Sequence, residues 1–255
     1  MHLSRPGFQF ALSLTAIFLW GGIQANSRPG AINPLRQAMV SLNFDDGYES
    51  AYIKGYPLLE SSGFVATYYV ITSNLKNPAP GYMNLNEVND LMRHGNEIGS
   101  HTRTHPHLET LSEASLAEEI NGSLKDLREA GIHASTFAYP YGEYNLSIVS
   151  MVKHAGFIGA RITEPALNDA SANRFLLKRI GVISTTRFSE IRTAIDTCIE
   201  TKSWLILLFH RIEKSQKLYS ADPQTLEQIV AYLRLKKIHP VTNEQGLRLS
   251  GLYRP

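Results

Sequence analysis

Four short stretches of the chain carry residue types that perform hydrolytic chemistry. Asn43-Phe44-Asp45-Asp46-Gly47 sets two adjacent carboxylates in front of a glycine. Neighbours on a strand point to opposite sides, so the two acids cannot do one job: one could hold a metal while the other works as a base, the alternative being a plain acidic turn that caps the next helix. In His101-Thr102-Arg103-Thr104-His105 the histidines are four apart, and on a helical turn they would face the same way and offer imidazole nitrogens to one cation. Pro106 steers His105 away from further helix, and His107 reads as a neighbour rather than a ligand. Phe137-Ala138-Tyr139-Pro140-Tyr141-Gly142 reads either as a structural turn or as a stiff aromatic one whose backbone amides face a site and whose rings stack on sugars. Finally, His210 closes the apolar run Ile206-Leu207-Leu208-Phe209, a position where a lone histidine is often a satisfied core residue.

Elements of a repeating type must position these residues. Short β-branched or aromatic runs alternate with segments of helical period, the pattern of successive βα units. The runs predict strands at Ala38–Phe44, Val65–Ile71, Glu97–Ser100, Ser135–Ala138, Phe157–Arg161, Lys178–Ile183, Trp204–Phe209 and His239–Thr242. Helices are expected at Glu49–Ser62, Leu85–His94, Ser112–Ala130, Leu146–His154, Phe188–Thr201 and Pro223–Lys236, with loops at Ser73–Tyr82 and Thr163–Arg174. Without a Gly-x-Gly-x-x-Gly after the first strand, the expectation is an α/β fold, a distorted (β/α) barrel of six to seven parallel strands. Chemistry on such a barrel sits at the C-terminal strand ends, where all four stretches fall.

Composition narrows the function further. With 25 Lys+Arg against 23 Asp+Glu, the 255-residue chain carries a formal charge of +2, which disfavours a nucleic-acid binder. A hydrophobic fraction of 43% supports one large core. The single cysteine, Cys198, excludes an intramolecular disulfide or a thiolate metal cluster and reads as a small buried helix residue. Residues 1–25 have a basic start (His2, Arg5), an apolar run from Phe8 to Trp20 and small residues ending at Ala25. That is the pattern of a secretory signal peptide, with an uncleaved membrane anchor as the alternative. A connector over 26–37 would then lead into one domain, 38–255, in a secreted or periplasmic protein.

In this order, each after a strand, the four stretches resemble the NodB-type polysaccharide deacetylases, carbohydrate esterase family 4. The Phe-Ala-Tyr-Pro-Tyr-Gly form is similar to the branch of poly-N-acetylglucosamine deacetylases. The resemblance implies metal-dependent hydrolytic N-deacetylation of an N-acetylglucosamine-containing polysaccharide, with release of acetate. It implies Asp45 as general base, His210 as general acid, and Asp46, His101 and His105 as ligands of a divalent ion, zinc first, with cobalt, nickel or manganese as alternatives. Tyr141 would give its backbone N–H to the oxyanion, Leu208 would line the acetyl pocket, and Tyr139 and Pro140 would shape the substrate side. Two departures stand out: Ala138 occupies a position where many relatives carry arginine, and Arg211 follows His210 where they carry aspartate. Arg179 is expected to take over as the cation that orients Asp45. The competing readings are a deformylase or peptidoglycan deacetylase using the same site, and a carbohydrate-binding protein with a degenerate one. The expected partner is the polysaccharide itself, with no nucleic acid and no obligate protein partner.

Overall fold

The computed structural model describes residues 33–75 and 77–254. The segment 1–25 and most of the connector lie outside the described residues. Seven parallel strands form one sheet, β1 (Met39–Phe44), β2 (Thr67–Val70), β3 (Glu97–Ser100), β4 (Thr136–Ala138), β5 (Gly159–Arg161), β6 (Ile180–Gly181) and β7 (Trp204–Phe209), in the order β5-β4-β3-β2-β1-β7-β6. The sheet curls into a half-barrel. Its edges β5 and β6 are linked by the irregular segment after Arg161, where Leu177 N–H donates to the Ala160 carbonyl and Ile162 N–H to the Leu177 carbonyl.

The helices covering the sheet are α1 (Tyr56–Glu60), α2 (Leu85–Arg93), α3 (Glu113–Glu129), α4 (Leu146–Ala155), α5 (Phe188–Thr201), α6 (Pro223–Leu235) and α7 (Asn243–Leu249). Central strands β1 and β7 pair over six residues each, and every residue of both is buried. Coverage on both faces explains why β7 is wholly apolar rather than alternating. Ser112, Asn145 and Asp222 cap α3, α4 and α6 with side-chain oxygens, each accepting a backbone N–H from the first turn. Cys198 is buried and directs its thiol at the Met39 carbonyl, as a small core residue would.

Two local expectations are corrected. Residues 239–242 form no strand: Pro240 removes a ladder donor, and Thr242 caps the unexpected α7 through a capping box with Gln245. That helix places the buried Asn243 against β1 and β2, where it and Asn43 exchange amide hydrogen bonds of 3.0 and 2.9 Å. The helix expected over Glu49–Ser62 is a π-helical turn, Ala51–Gly55, running into α1, because Pro57 lacks the N–H needed for a regular turn there. Beyond His210 a short two-stranded ribbon, β8 (Arg211–Ile212) with β9 (Ser220–Ala221), folds beside the sheet.

Candidate active site and metal centre

Asp45 and Asp46 leave the C-terminal end of β1, His101 follows β3, Tyr139 follows β4 and His210 follows β7, so the curl of the sheet brings all of them to one mouth. The mouth is a cavity of about 740 Å³ whose wall includes Asp45, Asp46, His101, His105, Leu208 and His210. Tyr139, Tyr141 and Arg179 line it as well, while Pro140 lies buried in the turn behind.

The two histidines converge without a helix. Thr102 and His105 adopt left-handed backbone conformations (φ 65° and 62°), so the segment after β3 doubles back and sets the imidazole rings 4.7 Å apart, edge to face. The Thr102 hydroxyl accepts the His105 N–H at 3.0 Å. The adjoining loop is tied to α3: Arg103 donates to Asp126 at 2.7 and 2.8 Å, while the Arg103 and Thr104 amides donate to Glu119. This corrects the helical-turn expectation, since it is loop geometry fixed by α3 that aligns the rings.

Asp46, His101 and His105 fit a divalent cation. One ligand atom from each lies within 4.8 Å of the others, and Asp46 Oδ1 is 3.5 Å from the Nε2 atoms of both histidines. His101 donates Nδ1–H to the Ala138 carbonyl at 2.7 Å, which leaves the Nε2 lone pair facing Asp46. Burial pushes the His101 imidazole down to about 3, so it is a neutral ligand at physiological pH. Burial, with the charge of Asp45 acting the same way, raises the Asp46 carboxyl, and its buried Oδ1 has no hydrogen-bond partner among the described residues. A buried carboxylate oxygen left unpaired between two neutral imidazoles is the environment a cation completes.

Asp45 faces a different partner. Its side chain is buried, and both carboxylate oxygens accept from Nη2 of Arg161, at 2.6 and 2.5 Å. Burial alone would raise the Asp45 carboxyl, but Arg161, helped by His101 and His210, holds it below the usual carboxylate range. Arg161 is itself fully buried, its Nη1 donating to the Ile162 carbonyl at 3.2 Å and its guanidinium lying 5.4 Å from the centre of the Tyr69 ring. Arg161 is the cross-strand partner of Ala138 in the β4–β5 ladder. Cross-strand partners share a face, so the cation expected beside Asp45 is supplied from the strand next to Ala138, by Arg161. Arg179 therefore does not hold Asp45: it lines the cavity, and its side chain makes no hydrogen bond among the described residues. The sequence did contain a pointer to Arg161, an arginine at the C-terminal end of an expected strand.

Tyr141 sits in the left-handed region (φ 57°, ψ 0°) inside a single helical turn, Pro140–Gly142. The turn's own hydrogen bonds run from Gly142 N–H to the Tyr139 carbonyl and from Glu143 N–H to the Pro140 carbonyl, so neither uses the Tyr141 N–H. Gly142 has φ 78°, and a Cβ there would lie 2.0 Å from Thr163 Oγ1, whose hydroxyl donates to the Tyr141 carbonyl at 3.2 Å. The Tyr141 ring stacks on His107 at 4.0 Å and 11°, with His107 in turn 2.8 Å from Glu143. His107 is thus a support for the turn, which sequence spacing did not reveal. His210 packs against Tyr219 at 5.0 Å, its Nδ1 buried without a hydrogen-bond partner. Burial lowers its imidazole, Asp45 and Asp46 oppose the shift, and Arg161 and Arg179 reinforce it.

A family model described as polysaccharide deacetylase matches residues 33–160. YxkH of Bacillus subtilis (strain 168), named provisionally as a polysaccharide deacetylase, is 28% identical over 145 residues, 56% of this chain and 51% of that protein. The poly-beta-1,6-N-acetyl-D-glucosamine N-deacetylase of Staphylococcus aureus (strain MRSA252) is 29% identical over 168 residues, 60% of this chain and 57% of that protein. The match thus spans little more than half the length of these curated relatives. Among solved structures, the Streptococcus pyogenes deacetylase PplD in complex with acetate aligns with a TM-score of 0.53 and 26% identity, over 55% of this chain and 62% of that one.

Proposed function

The chain belongs to the polysaccharide deacetylase family of amide-cleaving hydrolases, and from that membership we propose that it removes acetyl groups from an N-acetylglucosamine-containing polysaccharide, releasing acetate. One observation carries the proposal: a cation-ready Asp46, His101 and His105 group shares a cavity with a separately ion-paired Asp45 and with His210. A degenerate carbohydrate-binding site would not need to keep a buried ion pair and a buried, unpaired carboxylate oxygen side by side. The similarity to the staphylococcal deacetylase supports N-acetylglucosamine units in the substrate.

Asp46, His101 and His105 would hold the divalent ion, zinc first and cobalt, nickel or manganese next by ligand type, and when bound it polarises the acetyl carbonyl and acidifies water. Asp45, kept anionic by Arg161, takes a proton from the attacking water. The Tyr141 N–H, free of the turn's own hydrogen bonds, donates to the oxygen that gains charge as the carbonyl carbon becomes tetrahedral. His210 gives a proton to the sugar nitrogen as the C–N bond breaks, so the products are acetate and an amine. Leu208, buried at the base of the cavity, offers an apolar seat for the acetyl methyl. Tyr139 and Pro140 hold the turn against β5 through the Tyr139 N–H bond to the Arg161 carbonyl at 3.1 Å.

The apolar run from Phe8 to Trp20 behind Arg5 supports secretion or a periplasmic location, which N-terminal sequencing of the exported protein tests. No helix among the described residues is long and apolar enough to cross a membrane. The activity itself is tested by mass spectrometry of defined N-acetylglucosamine and N-formylglucosamine oligomers after incubation with the metal-supplemented chain. Loss of acetyl groups supports the proposal; loss of formyl groups alone would make it a deformylase, and binding without loss would make it a lectin-like protein.

A further inference from the structure

One guanidinium in the cavity wall, that of Arg179, is in no ion pair among the described residues, although the charge of Asp45 acts on it from a distance. Arg179 lies immediately before β6, half-buried, and its Nε is buried with no hydrogen-bond partner among the described residues. Its side chain runs across Gly181: a Cβ at that position would come within 2.5 Å of Arg179 Nη1, so the bare backbone there is what lets the guanidinium lie in the wall. The acids nearby are otherwise engaged. Arg161 already neutralises Asp45, and Asp46 belongs with the two histidines. The adjacent Lys178 shows the contrast, its Nζ pairing with Glu164 at 2.7 Å on the outer side. Arg211 adds a second guanidinium in no ion pair among the described residues; it lies 3.9 Å from the centre of the Tyr48 ring, itself part of the cavity wall.

The buried Nε loses hydration that no hydrogen-bond partner among the described residues replaces, and an anion arriving at the guanidinium would supply both the acceptor and the charge. Its planar fork matches a carboxylate or phosphate better than a hydroxyl, which would satisfy hydrogen bonds but leave the charge uncompensated. We propose that Arg179 is a substrate-binding residue that reads an anionic group, a carboxylate or a phosphate, carried by the polysaccharide at or beside the sugar being deacetylated. The assignment rests on the deacetylase reading, deepening it from an N-acetylated polymer to one bearing negative charge.

Direct binding provides the test, because it does not require turnover. Three oligosaccharides of matched length are titrated calorimetrically into the zinc-supplemented chain: neutral N-acetylglucosamine units, the same with alternate units bearing a lactyl carboxylate, and the same bearing phosphate esters. The chain is expected to bind at least one anionic oligomer about tenfold or more tighter than the neutral one, the scale of a charge-assisted hydrogen bond. Arg179→Met should abolish that preference while keeping affinity for the neutral oligomer within about twofold, and Arg179→Lys should retain part of it. The arm that shows the preference identifies the anion. Equal affinity for all three, or a preference that survives Arg179→Met, overturns the assignment. Acetate release measured on the same samples separates the two claims: hydrolysis without anionic preference removes only the role of Arg179, and an Arg179-dependent preference without hydrolysis removes only the deacetylase reading.

Discussion

Replacing Arg161 by methionine should unmask the cost of burying Asp45. The arginine is fully buried, and its Nη2 lies 2.6 Å from Asp45 Oδ1, so methionine keeps much of the apolar contact with Tyr69 while removing the charge. Breaking a buried pair from one side costs about 3–5 kcal/mol, because the remaining ion is left desolvated. At roughly 2–4 °C per kcal/mol for a chain of this size, the melting temperature should fall by about 6–20 °C. The pH dependence identifies the cause. In the wild-type chain the Asp45 carboxyl is held low, so its stabilisation is present above the unfolded-state pKa and is lost as pH falls through the folded-state value. In Arg161→Met burial acts unopposed and the folded-state value rises above the unfolded one; the variant then takes up a proton in the folded state as pH drops, and its deficit should shrink between pH 7 and about 4. Urea unfolding of the chelated proteins at several pH values measures this without a bound cation standing in for the lost guanidinium. An unchanged midpoint at pH 7, or a deficit independent of pH, would refute the role of the pair.

Other outcomes follow from the same geometry. Asp45→Asn should retain metal and lose turnover by about 100- to 10,000-fold, whereas Asp46→Asn should lose metal, both read by metal content alongside acetate release. Gly142→Ala forces a side chain onto Thr163 at a left-handed position, so kcat should drop with metal content unchanged, as kinetics on the metal-supplemented variant would show. His107→Ala removes the ring stacked on Tyr141 and should weaken the turn by about 0.5–1.5 kcal/mol, seen as faster hydrogen exchange at residues 140–143. Burial lowers the His210 imidazole, so the rate should fall on the alkaline side with an apparent pKa below the ordinary histidine value, and Arg179→Met should move that limb upward; a limb indifferent to the variant would argue against the acid being His210.

The candidate site was legible where its residues follow directly from strand ends. Asp45, Asp46, His101 and His210 each come after a short buried strand, and a parallel half-barrel gathers such positions by its topology. What was hidden depends on pairing across the sheet. That Arg161 rather than Arg179 meets Asp45 follows from the register of β4 with β5, which the arginine's place at a strand end does not by itself report. Arg179 was expected to begin a longer strand, but only Ile180 and Gly181 pair there, and the guanidinium reaches the mouth by lying over Gly181. The histidine spacing suggested a helical turn, yet two left-handed residues and the Arg103 anchor to α3 achieve the same convergence in a loop. Residues 239–242 have strand-like composition, and only Pro240 and the Thr242 capping box mark the start of a helix instead.

The most direct test is to follow metal content and acetate release together while zinc is returned to the chelated chain in the presence of an N-acetylglucosamine oligomer. Both should rise in proportion and level off at about one ion per chain, the capacity of a three-ligand site, with His101→Ala failing to recover either. Full acetate release by the chelated chain, or by a His101→Ala variant that binds no ion, would contradict the account.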